Sequence, residues 1–149
     1  MNKPALTVRF IADGNQLQKI DLSLAREFSY EFVGTTTALQ KNLSEWIESY
    51  LAGKSKPIDL PQSDTPFQKK VMDALSKVPF GKILSYSELA EKVGNPKGAR
   101  AIGNACGKNQ FPLIIPCHRI VHKNGHLGGF AFGLEIKRRL LTFEKSLLD

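Results

Sequence analysis

At 149 residues the chain has room for one ordinary domain or two small ones, and its 42% hydrophobic and 23% charged content is that of a globular protein. No apolar run approaches the roughly 20 residues that span a bilayer, and the opening MNKPALTVRF lacks the apolar core of a signal peptide. A soluble cytoplasmic protein with no membrane partner is expected.

The net charge of +7 is unevenly spread. Residues 1–64 carry seven Lys and Arg against eight Asp and Glu, and residues 65–149 carry fourteen against six. That imbalance directs the C-terminal half toward a polyanion, nucleic acid ahead of membrane, or leaves it as a solvated basic surface.

"ALTVRFIADGNQLQKIDLSL" predicts two strands around a turn at Asp13-Gly14. "TTTALQKNLSEWIESYLAG" predicts a helix with Leu39, Leu43, Trp46, Ile47 and Tyr50 on one face and Gly53 closing it. "KSKPIDLPQSD" holds two prolines and no periodicity, so it reads as a linker. The charge balance changes sign there too. A boundary near residue 63 follows, with one unit over 1–63 and another over 64–149.

The second unit opens on "TPFQKKVMDALSKV", where Thr65 suits an N-cap, Pro66 the first helical position and Gln68 a capping box. "SYSELAEKVG" repeats the device with Ser85 and Glu88, and Gly94 ends the helix. "NPKGARAIGNACGKN" begins a further helix at Asn95-Pro96, rich in small residues, so the pair reads as a helix-turn-helix. The small residues suit close packing on a neighbouring helix or close approach to a nucleic-acid backbone with Arg100 projecting. "RIVHKNGHLGGF" carries Asn124-Gly125 between short apolar runs, which predicts a hairpin in the position of a wing. "GLEIKRRLLTFEKSLL" predicts a last helix burying Ile136, Leu140, Phe143 and Leu147.

Two cysteines make no disulfide framework, and neither they nor the histidines, clustered in 118–126, have metal-ligand spacing. No metal and no cofactor is expected. "PLIIPCHRIV" sets a thiol, Cys117, beside His118 and Arg119. A thiolate is the nucleophile, so Cys117 needs a base or a positive field, which His118 and the fixed charge of Arg119 offer. Adjacent residues of an extended strand point apart, so a bend after Pro116 or a bridging water is required. A histidine base needs a carboxylate to orient it, and Glu144 at the border of the last helix's apolar face is the candidate. On position alone Cys117 equally suits an inert buried cysteine, and Glu144 a helix-edge ion pair.

In order and spacing, "TPFQKKV", "VPFGKILSYSELA", "GNPKGARAIGNA", "KNQFPLIIPCHRIV", "GHLGGF", "GLEIKRRLL" and "FE" fall across residues 65–146. Together they resemble the O6-alkylguanine-DNA alkyltransferases, the methylated-DNA–protein-cysteine methyltransferases. The resemblance implies a mixed α/β (α+β) fold: a small ribonuclease H-like strand-and-helix unit, then a winged helix-turn-helix. It implies irreversible repair of double-stranded DNA, in which a monomer binds through the minor groove and moves the alkyl group of a flipped O6-alkylguanine, or of O4-alkylthymine, onto Cys117.

Carried over residue by residue, His118 would deprotonate Cys117 through a water, held by Glu144, and Asn109 would brace the turn before the cysteine. Tyr86 would sit at the flipped nucleotide and donate to the departing base. Arg100 would enter the base stack, with Ala99, Ala101 and Gly103 beside it against the DNA. Cys106, Pro112, Ile120, Phe130 and Ala131 would line the pocket. The carbonyls of Cys117 and Ile120 would accept from the guanine amino group, and the Ala131 N–H would face its oxygen.

The chain departs from the family at Phe130, where a tyrosine is usual, and a slower or differently selective protein is expected. Two other roles compete: a non-catalytic relative that binds alkylated DNA and recruits other repair factors, which Cys117 opposes, and a winged-helix regulator sensing through Cys117.

Overall fold

A computed structural model describes residues 3–62 and 65–148. Strands β1 (Leu6–Gly14) and β2 (Gln16–Leu24) form the expected antiparallel hairpin, with Val8 opposite Leu22 and Phe10 opposite Ile20. A third strand, β3 (Ser29–Thr35), lies parallel to β1 on its other side, giving the order β2-β1-β3. It was not expected. Its half-buried Tyr30 and Phe32 alternate with exposed Ser29 and Glu31, a two-residue period that was the available signal.

Helix α1 (Thr37–Leu51) is capped by the Thr36 hydroxyl, which accepts from the Leu39 N–H, and it closes at Gly53 with φ +76°. Its predicted face, Leu39 to Tyr50, is buried in the core, where Tyr50 meets Phe80 and Phe143. The boundary expected near residue 63 falls outside the described residues. The buried set nevertheless runs unbroken from Phe10 and Ile47 through Val71 and Leu75 to Leu140 and Phe143. Arg139 of the last helix donates to the Ala5 and Ala25 carbonyls at 2.6 and 3.1 Å.

Helix α2 (Pro66–Ser76) starts with Thr65 as N-cap and Pro66 inside. The Gln68 side chain does not complete a box. Its amide nitrogen donates instead to the Ala105 carbonyl at 2.9 Å, a partner that only the tertiary packing supplies. Strand β4 (Leu84–Ser85) leads into α3 (Tyr86–Lys92), where Ser85 and Glu88 do form the reciprocal capping box. Helix α4 (Ala99–Gly107) begins four residues after Asn95, since Asn95–Gly98 form a turn closed by the Gly98 N–H on the Asn95 carbonyl.

A 3₁₀ turn (Cys117–Arg119) precedes β5 (Ile120–Val121), which pairs in parallel with β4. The Asn124-Gly125 turn is present, closed by the His122 N–H on the His126 carbonyl at 2.9 Å. No strand follows it among the described residues, so the expected hairpin is a single loop. The Leu127 and Gly129 carbonyls that would continue a ladder instead accept from the Lys137 ammonium. Helix α5 (Leu134–Leu148) buries Ile136, Leu140 and Phe143 as expected, and with them Lys137 and Glu144, whereas Leu147 is only partly buried. No helix among the described residues is long and apolar enough to cross a membrane.

Candidate active site

The bend that the Cys117-His118 pair requires is the 3₁₀ turn after Pro116. It turns Cys117, 7% exposed, toward a cavity and His118, fully buried, toward α5. The turn is braced from Asn109, whose amide donates to the Ile115 carbonyl at 2.9 Å and to Cys117 Sγ at 3.2 Å. The Asn109 carbonyl accepts the Phe111 N–H at 2.9 Å. Inside this clasp Leu113 holds φ +78°, a left-handed backbone that costs a non-glycine residue roughly 1–2 kcal/mol and that the surrounding bonds impose. Burial pushes the Cys117 thiol above its ordinary range, and the Asn109 bond and the Lys137 charge act the other way. At rest it is a thiol that needs a base.

His118 Nε2 lies 2.5 Å from Glu144 Oε2. Burial lowers the imidazole below its ordinary value despite the carboxylate, so the ring is neutral at pH 7. An ionised Glu144 cannot donate, so the ring proton sits on Nε2 and Nδ1 carries a lone pair. That Nδ1 is buried and, among the described residues, without a hydrogen-bond partner.

Glu144 is fully engaged. Oε2 also accepts from the Tyr50 hydroxyl at 2.7 Å, and Oε1 from Arg119 Nε at 2.7 Å and the Gly81 N–H at 3.3 Å. Burial opposes its charge, but His118 and Arg119 outweigh burial and hold the carboxyl at about 2. Position at a helix edge concealed a carboxylate 1% exposed, with no lysine partner. Arg119 does not supply the expected field at Cys117. Its guanidinium is spent on Glu144 and, at 2.8 Å, on the Val78 carbonyl.

Sequence reasoning missed Lys137. Its ammonium, fully buried, donates to the Ile120 carbonyl at 2.6 Å, the Gly129 carbonyl at 3.2 Å and the Leu127 carbonyl. Burial lowers it to about 8, against the pull of the two cysteines. The available signal was helical phase, since Lys137 lies three residues before Leu140 and seven before Glu144. Tyr50 was read as a core aromatic, and the signal missed was that a buried phenol needs a partner.

The cavity holds about 320 Å³ between Gly103, Cys106 and Gly107 of α4, Cys117, and the Gly129–Ala131 loop. Tyr86 and His122 stand at its side with ring centroids 4.8 Å apart. Gly128 must be glycine: φ is +75° and a Cβ would lie 2.8 Å from the Tyr86 ring. Cys106 is pushed to about 12, by burial first and then by Cys117, and among the described residues it has no donor on its sulfur like that of Asn109. A larger groove of about 550 Å³, lined by Lys70, Lys77, Lys82 and Lys92, has no cysteine, serine or histidine in its lining. Among the described residues no His, Cys, Asp or Glu side chains cluster as a metal site.

The other carried-over residues divide. Tyr86, Cys106, Phe130 and Ala131 line the cavity, and Arg100, Ala99 and Gly103 lie exposed on α4 with Ala101 half-buried. Pro112 and Ile120 are buried and do not line it. The Cys117 and Ile120 carbonyls already accept protein donors, the Ile120 N–H and the Lys137 ammonium, which leaves each a second lone pair.

Residues 66–146 match the family described as "6-O-methylguanine DNA methyltransferase, DNA binding domain". The chain is 44% identical over 108 residues to the methylated-DNA–protein-cysteine methyltransferase of Methanosarcina acetivorans, covering 71% of this chain and 69% of that one. It is 38% identical over 135 residues to the Shigella flexneri protein of the same name, covering 89% and 77%. Among solved structures it resembles Mycobacterium tuberculosis OGT in complex with DNA, with a TM-score of 0.73, 31% identity and coverage of 95% and 94%.

Proposed function

The chain belongs to the O6-alkylguanine-DNA alkyltransferases, the methylated-DNA–protein-cysteine methyltransferases, and from that membership we propose that it repairs DNA by direct reversal, moving the alkyl group of O6-alkylguanine or O4-alkylthymine irreversibly onto Cys117. The observation that carries this reading is the buried relay: a thiol braced by Asn109, and a neutral imidazole held by Glu144 whose Nδ1 has no hydrogen-bond partner among the described residues.

Attack at an sp³ carbon needs a soft anion in line with the carbon–oxygen bond. The Cys117 proton passes through a water to His118 Nδ1, and Glu144 offsets the charge that forms there. A sulfur–carbon bond forms as the carbon–O6 bond breaks. The guanine anion takes a proton from Tyr86, which recovers its own from solvent while His118 returns to neutral. The product is a thioether and an intact base, so each molecule acts once.

The α3–α4 pair is the helix-turn-helix, with the Asn124-Gly125 loop in the place of the wing. Exposed Ala99, Gly103 and half-buried Ala101 on α4 suit close approach to the minor groove of double-stranded DNA, with Arg100 filling the stack that the flipped nucleotide leaves, a step that costs a few kcal/mol. Residues 1–63 would be a ribonuclease H-like scaffold and 64–149 the alkyl-transfer unit. The protein acts as a monomer in the cytoplasm, where free thiols stay reduced.

The test is intact-mass and peptide mapping after incubation with duplex carrying one O6-methylguanine. One methyl on Cys117, absent in Cys117→Ser, is expected. Tight binding with an unmodified sulfur overturns the reading.

A further inference from the structure

Tyr50 stands at the C-terminal end of α1, far in sequence from the cysteine turn, yet its hydroxyl and the His118 ring share one oxygen of Glu144, at 2.7 and 2.5 Å. The phenol is 3% exposed. Its ring stacks on Trp46 at 5.7 Å and 8°, and it meets Phe80 and Phe143 at 5.5 and 5.6 Å, so the hydroxyl has one direction available. Phe80 follows α2, and Phe143 belongs to α5 beside Glu144. Those rings clamp a residue of the N-terminal unit onto the relay.

We propose that Tyr50 is a positioning residue for the alkyl transfer proposed above, one that turns the Glu144 carboxylate toward His118 and limits its basicity. The proposal rests on that reading of Cys117 and deepens it. A carboxylate oxygen that accepts two donors disperses its charge over both. With Tyr50 in place, Glu144 is a weaker base, the proton it shares stays on His118 Nε2, and Nδ1 stays an acceptor aimed away from Glu144. Without the hydroxyl, Oε2 faces the imidazole alone, the imidazolium is better stabilised, and His118 protonates at higher pH. A histidine already protonated cannot accept the Cys117 proton.

The other charged or titratable groups around the pair are Arg119 on the cysteine turn, Lys137 on α5, and Cys117 itself. Arg119 binds the opposite oxygen of Glu144, and Lys137 binds carbonyls, so neither occupies the place of Tyr50. Burial first, and then the charge of Glu144, keeps the phenol protonated well above its ordinary range, so it remains a donor wherever the protein is folded.

Tyr50→Phe removes the hydroxyl and keeps the ring stack. Single-turnover alkyl transfer from O6-methylguanine duplex is measured for both proteins from pH 5 to 9. The acid limb of the variant should move up by about one pH unit, so that it is roughly tenfold slower on the acid side and converges with the parent on the alkaline side. A purely structural role would scale the whole profile by one factor, and that result overturns the proposal.

Nitrogen-15 NMR titration of His118 without DNA supplies a second readout that needs no activity. A higher titration point in Tyr50→Phe supports the proposal, and an unchanged one overturns it. Should the parent itself form no adduct, the reading of Cys117 fails, and the NMR shift still reports whether Tyr50 tunes the pair.

Discussion

Lys137 shows at the scale of one residue how much a fully buried charge can organise. Its ammonium ties β5, through Ile120, to the loop at Leu127 and Gly129 that lines the cavity, and it is among the groups that draw the Cys117 thiol downward. Lys137→Met keeps the length of the stem and removes the donors. Three carbonyls then lose a charged partner, and urea unfolding should show a loss of about 2–3 kcal/mol. The Cys117 thiol should also ionise at higher pH, read as the pH dependence of its alkylation by iodoacetamide followed by peptide mapping. Because the ammonium titrates at about 8, the difference should be greatest below that pH. An unchanged thiol titration would mean that the charge does not reach the sulfur. Tyr86, whose ring lies 5.8 Å from the same ammonium, belongs to this cluster as well.

Among the elements, the loop after β5 carries the clearest lesson. Asn124-Gly125 makes its turn, but the chain beyond it spends its carbonyls on Lys137 and never pairs. Gly128 is where that loop passes under Tyr86. Gly128→Ala meets both a left-handed backbone and a ring 2.8 Å from the new Cβ. The expected outcome is a stability loss of about 1–2 kcal/mol together with slower adduct formation, because Tyr86 must move. Normal adduct kinetics in a folded Gly128→Ala protein would show that the Tyr86 position does not matter to the transfer. The helix caps behaved differently from one another: Ser85 and Glu88 bonded reciprocally, whereas Gln68 gave only its backbone N–H to the Thr65 cap and sent its side chain to Ala105 of α4.

For the whole molecule, the Glu144 cluster is an acid-sensitive joint. Glu144 belongs to α5, Tyr50 to α1 and Gly81 to the segment after α2, so one carboxylate ties both halves of the chain. Its pKa of about 2 lies below its ordinary 4.5, so its stabilising effect is complete above 4.5 and is lost as the pH falls toward 2. That difference corresponds to about 3 kcal/mol for a group so well buried. His118 acts in the same direction: neutral in the fold, it disfavours the folded state as pH falls below its ordinary 6.5. Urea midpoints at pH 7, 5 and 3 should therefore decline steadily, and the decline between pH 5 and 3 should shrink in Glu144→Gln. Equal slopes in the two proteins would place the acid sensitivity elsewhere.

Local chemistry made much of this protein legible from its residues alone: the Asp13-Gly14 hairpin, the capped helices and the Cys117-His118 pair each depend on neighbours a few positions away. The family resemblance added Asn109, and for Glu144, already the candidate carboxylate by position, it chose the orienting role over a helix-edge ion pair. Tertiary structure alone decided what the charged residues do, for a side chain's partner is set by packing and not by the chain around it. It turned Arg119 from the sulfur to Glu144, buried Lys137 under three carbonyls, and brought the Tyr50 hydroxyl to the oxygen that His118 uses. It also paired β5 with β4 in place of a hairpin partner, because strands so short gain their stability from the surface they cover.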